Sequence, residues 1–88
     1  MLIKLKDDYF IRSDSYQYIL SVERIKDTGE NIGEKYYRDI GFYPKIDQLL
    51  DDYSDKIIRA ASITSFRELK EVLYEIRTEL IEVNKQLA

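Results

Sequence analysis

Five glutamates recur at helical spacing near the end of the chain: Glu68, Glu71, Glu75, Glu79 and Glu82. Steps of three and four residues place them about 4.5–6 Å apart along a helix, within a factor of two of the phosphate spacing on one nucleic-acid strand. A carboxylate line of that kind can imitate a nucleic-acid backbone and occupy the basic groove of a nuclease. Asp47, Asp51 and Asp55, with Asp52 beside them, are placed to enlarge the same field. The plainer reading is a solvated helix face, because Arg67, Lys70 and Arg77 are mixed alongside. Like charges four apart, as in Glu71, Glu75 and Glu79, cost a few tenths of a kcal/mol each, so the stripe is mildly unfavourable for the helix itself.

Other chemistry has little to stand on. The chain has no His and no Cys, which removes the commonest general base, the commonest zinc ligand, thiolate chemistry and disulfides. Asp51 and Asp52 are adjacent and point to different sides of a helix. There is no Gly-rich phosphate loop and no metal-ligand spacing. The chain therefore reads as non-enzymatic, with no cofactor. Tyr16, Tyr18, Tyr36, Tyr37 and Tyr43 cluster in the first half, where aromatic residues on a sheet could stack bases. Acidic residues interleave the nearby cations and the net charge is −3, so direct nucleic-acid binding is not expected. Core and protein-contact roles suit these tyrosines better.

The elements that carry these residues follow from periodicity. Residues 9–12 are rich in β-formers, and Asp14-Ser15 makes a turn. Residues 16–26 alternate, with Tyr18, Leu20 and Val22 on one side. Residues 27–33 form a polar loop with two Gly. Residues 34–43 return as a strand, with Tyr36, Arg38, Ile40 and Phe42 opposite Tyr37 and Asp39. Residues 2–5 either extend the first strand or pair separately. Pro44 then suits the opening of a helix. Ile46, Leu49, Leu50, Tyr53 and Ile57 recur at helical spacing, and Ser62-Ile63-Thr64 is a break. Ser65 and Glu68 fit a capping box in front of a second helix. The expectation is an α+β fold, a three-stranded antiparallel sheet followed by two helices in the order β-β-β-α-α. It forms one domain over residues 1–88: sheet over 1–43, first helix over 44–61, and a long amphipathic helix over 65–88.

That last helix carries an apolar seam of Phe66, Leu69, Leu73, Ile76, Leu80, Val83 and Leu87 at alternating steps of three and four. It is about 34 Å long if fully helical. The seam is either an intramolecular core face or, in part, a homodimer interface. Val72 and Ile81 widen its apolar surface, so Val72, Leu73, Leu80, Ile81 and Leu87 are the candidate dimer contacts.

A chain of 88 residues buries only roughly 60–65% of its unfolded surface, which makes good packing or oligomerisation important. A 44% hydrophobic content with one Pro and three Gly argues for an ordered domain. The opening residues lack the apolar stretch of a signal peptide, and no run approaches the ~18 apolar residues of a membrane span. The expected location is the cytoplasm, with no membrane partner.

Tyr16-Gln-Tyr-Ile-Leu, Asp39-Ile-Gly-Phe-Tyr-Pro-Lys-Ile-Asp-Gln-Leu-Leu and Ile63-Thr-Ser-Phe-Arg-Glu-Leu-Lys-Glu-Val-Leu together resemble small accessory proteins encoded by bacteriophages and prophages of Gram-positive bacteria. The shared features are a β-hairpin, a Gly-aromatic-aromatic step into a helix, and a second helix opening on a capped Ser-Phe. These motifs are structural, and no functional residue carries over from them. The resemblance implies a small phage gene, of the kind that encodes stoichiometric inhibitors of host defence, anti-CRISPR proteins among them. Combined with the carboxylate stripe, it gives an expectation of a host-protein partner, such as a CRISPR nuclease, bound in the cytoplasm of the host bacterium. The alternative is a homo-oligomeric scaffolding protein assembled through the last helix.

Overall fold

Leu2–Lys4 is a strand in its own right (β1), so the antiparallel sheet has four strands where periodicity suggested three. The cause is the chain reversal at Lys6–Asp8. Asp7 and Asp8 both adopt positive φ, 57° and 64°, at the centre of a tight turn in which the Tyr9 N–H donates to the Lys6 carbonyl, and three residues separate the paired Leu5 and Tyr9. Aspartate tolerates that region better than most residues. The Leu5 N–H donates to the Tyr9 carbonyl at 2.7 Å and closes the hairpin. The computed structural model describes residues 1–87; Ala88, the last residue expected in the second helix, lies outside them.

The other strands are β2 (Tyr9–Ser13), β3 (Tyr18–Ile25) and β4 (Lys35–Tyr43), in spatial order β1-β2-β3-β4. Asp14 shapes the β2–β3 turn. It accepts the Tyr16 N–H at 2.8 Å and the Gln17 N–H at 2.9 Å. The Tyr16 bond foremost holds its carboxyl below the usual carboxylate range.

Cross-strand register defines two faces. Ile3, Ile11 and Leu20 lie in one row, with Val22 on the same side, and all are buried. The opposite face carries Leu2, Arg12, Ile19 and Phe42 in one row and Lys4, Phe10, Ser21 and Asp39 in the next. Simple alternation places Phe42 on the side of Tyr36 and Arg38. A register shift opposite Leu20 and Ser21 leaves Ile40 as an extra residue in β4, and this bulge turns Phe42 to the side of Tyr37 and Asp39. Gly41 follows the bulge, and a Cβ there would fall against the Tyr43 ring and hydroxyl.

The chain forms two compact units, Met1–Leu49 and the segment from Leu50 onward. The boundary lies inside the first helix, α1 (Ile46–Ala60). The second helix, α2 (Phe66–Leu87), follows a short break. Ser65 caps α2 as its sequence indicates: its hydroxyl accepts the Glu68 N–H at 3.2 Å. The reciprocal bond is displaced by one residue, because the Glu68 carboxylate accepts the Thr64 N–H at 2.9 Å.

Candidate partner-binding surface

At 100° per residue, α2 divides into three sectors. The first holds Ile76 and Val83, both buried, with Leu69, Val72, Leu80 and Leu87 half-buried around them. This is the real course of the apolar seam. Phe66 and Leu73 fall outside it, 75% and 44% exposed. A strict alternation of threes and fours drifts around a straight helix, and Phe66 ends about 80° from Ile76.

The second sector carries the glutamates, which have different surroundings. Glu79 is half-buried and accepts the hydroxyl of Tyr53, a fully buried residue of α1. Glu68 serves the helix cap. Glu82 pairs with Lys85 at 3.3 Å. Glu71 and Glu75 are exposed one turn apart. On α1, Asp47 and Asp51 are exposed, whereas Asp55 pairs with Arg59 at 2.9 Å and Asp52 with Lys56 at 3.6 Å. The residues read as one acidic field therefore have different surroundings: Glu68, Glu79, Glu82, Asp52 and Asp55 hold the partners just described, and Glu71, Glu75, Asp47 and Asp51 are exposed.

The third sector escaped the sequence reading. Phe66, Lys70, Tyr74, Arg77 and Ile81 follow one another at steps of three and four, with Leu73 beside them. Tyr74 is 72% exposed and Ile81 52%. The Lys70 ammonium lies 5.8 Å from the centre of the Phe66 ring, a cation–π distance. Phe66, Arg67, Lys70, Glu71, Tyr74 and Glu75 form a shallow, open patch along the first turns of α2. Of the candidate dimer contacts, Leu73 and Ile81 are on this exposed side, while Val72, Leu80 and Leu87 are half-buried. The spacing of these aromatic and basic residues was visible, but the heptad seam absorbed Phe66 and Leu73.

The sheet holds a second group that the pattern did not mark. Asp39 Oδ1 accepts the Ser21 hydroxyl at 2.7 Å and Arg12 Nη1 at 2.6 Å. Arg12 also stands 5.6 Å from the centre of the Tyr37 ring, which meets Phe10 edge-on at 5.0 Å. Ser21 is fully buried, so its hydroxyl needs this partner, and the group ties β2, β3 and β4 into one register. Tyr16, by contrast, is almost wholly exposed beside its turn.

Among the described residues, no group of three or more His, Cys, Asp or Glu could hold a metal ion, and no helix is long and apolar enough to cross a membrane.

Two known proteins match most of this small α+β chain. One, described as an uncharacterized 10.4 kDa protein in the GpA 5′ region of Escherichia phage 186, is 35% identical over 74 residues, covering 84% of this chain and 81% of the relative. The other, an uncharacterized 10.2 kDa protein in the GpA 5′ region of Escherichia phage P2, is 33% identical over 67 residues, covering 76% and 74%. The chain belongs to this family of small phage-encoded proteins. Both relatives come from phages of Escherichia, and they lend no support to the Gram-positive origin that the motif resemblance suggested. No family model and no solved structure matches the chain.

Proposed function

We propose that this is a non-enzymatic phage protein that inhibits a host nucleic-acid-handling protein, a CRISPR nuclease being one such target. It presents the carboxylate side of α2 where nucleic acid would otherwise lie, in the cytoplasm of the infected bacterium. The observation that supports this reading is the exposure of Glu71 and Glu75, one turn apart on a helix that is capped at Ser65 and tied to α1 through Glu79. The open patch beside them adds Phe66 and Tyr74, large aromatic contacts of the kind that dominate binding energy. The net charge of −3 favours approach to a basic groove.

The test is Glu71→Gln with Glu75→Gln, assayed as inhibition of DNA cleavage by purified host nucleases. The pair should weaken inhibition roughly tenfold or more, with the unfolding midpoint unchanged. Glu79 is left alone because it partners Tyr53. Undiminished inhibition by the double variant would reject the acidic-surface reading.

A homo-oligomeric scaffold built through α2 is the second reading, favoured by the exposure of Leu73 and Ile81 beside Phe66 and Tyr74. On that reading Ile81→Asp gives a folded monomer.

A further inference from the structure

β4 is an edge strand, paired on one side only with β3. Residues 34–40 are all exposed, so the other side of the strand is open. An open edge is a template for another strand. The structure also fixes which backbone groups are on offer. The Lys26 N–H donates to the Glu34 carbonyl at 2.9 Å. Counting along the antiparallel ladder from that bond, Tyr36 and Arg38 direct their N–H and C=O groups to β3. Lys35, Tyr37 and Asp39 therefore direct theirs outward. The bulge at Ile40 ends the regular edge after Asp39.

We propose that β4 pairs antiparallel with β4 of a second copy of this chain, about a two-fold axis at Tyr37. Only residues with outward groups can face one another in hydrogen-bonded pairs, which limits the registers. With Tyr37 opposite its own copy, Lys35 faces the second copy's Asp39, and this happens twice. On the other face, Tyr36 lies beside the second copy's Arg38, also twice. Every cross-strand pair is then attractive, the Lys35–Asp39 contact adding to the pairs these residues already make with Glu23 and Arg12 of their own chain. Sliding the axis to Arg38 sets two guanidinium groups against each other. Sliding it to Tyr36 removes the Lys–Asp pairs, leaves Lys35 opposite Tyr37, and moves the opposite-charge contacts to Glu34 and Arg38, with Glu34 just outside the strand. Within β4, only the Tyr37 register sets opposite charges against each other, and a second copy of this chain is the occupant that offers them. Five paired residues make a small contact, so the dimer is a weak one. It goes beyond the α2 surface and needs no host protein to form.

The chain has no Cys, so a single introduced thiol reports the register directly. Facing residues in a hydrogen-bonded pair sit about 5.5 Å apart between Cα atoms, within disulfide range. Two copies of residue 38 would sit roughly 8 Å apart, beyond it. Under mild oxidation Tyr37→Cys should cross-link and Arg38→Cys should not. In sedimentation equilibrium the parent chain should dimerise with rising concentration, and Lys35→Asp should weaken the dimer roughly tenfold or more, with its circular dichroism unchanged. A monomer at every concentration up to the submillimolar range would overturn the proposal. So would cross-linking at residue 38 in preference to 37. A dimer that survives Lys35→Asp and is lost in Ile81→Asp would place the interface on α2 and overturn it as well.

Discussion

α1 and α2 contain the same ingredients: apolar positions at helical spacing, aspartates or glutamates beside them, and a few cations. α1 buries Leu49, Leu50, Tyr53 and Ile57, and sets Asp52 and Asp55 against its own Lys56 and Arg59. α2 is seven residues longer (22 against 15), yet only Ile76 and Val83 are buried on it. It leaves four large apolar side chains, Phe66, Leu73, Tyr74 and Ile81, in solvent. A helix of that length could have covered its apolar residues with a single stripe. They lie instead on two sides of the helix, one buried around Ile76 and Val83 and one in solvent, with the carboxylates on a third. The comparison teaches that a strong amphipathic pattern does not by itself mean that a helix buries all of its large apolar side chains.

The sharpest way to break this comparison is to truncate one tyrosine on each helix. Tyr53→Ala should cost about 3–5 kcal/mol, because it empties a fully buried site and leaves half-buried Glu79 without the hydroxyl. Tyr74→Ala should stay within about 0.5 kcal/mol. Urea unfolding of both variants checks the contrast, and similar losses would show that α2's outer side is structural after all. Next in size is the α2 cap. Ser65→Ala removes the acceptor of the Glu68 N–H and should cost about 1 kcal/mol, read as a lower denaturant midpoint with an unchanged slope. The smallest contrast is electrostatic. Asp52→Asn should destabilise by a few tenths of a kcal/mol through the lost Lys56 pair, whereas Glu71→Gln should be neutral or slightly stabilising by relieving repulsion from Glu75. Added salt should shrink both differences; a salt-independent effect would point to packing instead.

Much of the architecture was legible because its causes are local. The strand around Leu20, the break at Ser62-Ile63-Thr64 and the Ser65 cap depend on neighbours within a few residues, and periodicity and turn chemistry read such neighbours well, whereas the burial of Ile19 and Ser21 on the strand's other side was not legible in its alternation. The separate β1 was harder, since it rests on two consecutive left-handed aspartates in a sequence without the usual Asn-Gly or Asp-Gly signal. The bulge at Ile40 left no mark in a pattern that alternates smoothly through it. The candidate surface was legible only as a list of residue types. What Glu79 does depends on Tyr53, 26 residues away, and what Asp39 does depends on Ser21 and on Arg12, 27 residues away. Spacing along one helix cannot report a partner supplied by another element. The aromatic and basic side of α2 was missed for a different reason: a seven-residue repeat was imposed on a helix that turns every 3.6 residues.

Gly41 and Tyr43 have a consequence for how this family can vary. The Tyr43 ring occupies the space that any side chain at position 41 would enter. The two positions therefore form one inherited choice. A relative with a side chain at 41 has to carry a smaller residue at 43 or turn its ring away, so a lineage meets no clash when residue 43 shrinks first and meets one when residue 41 gains its side chain first.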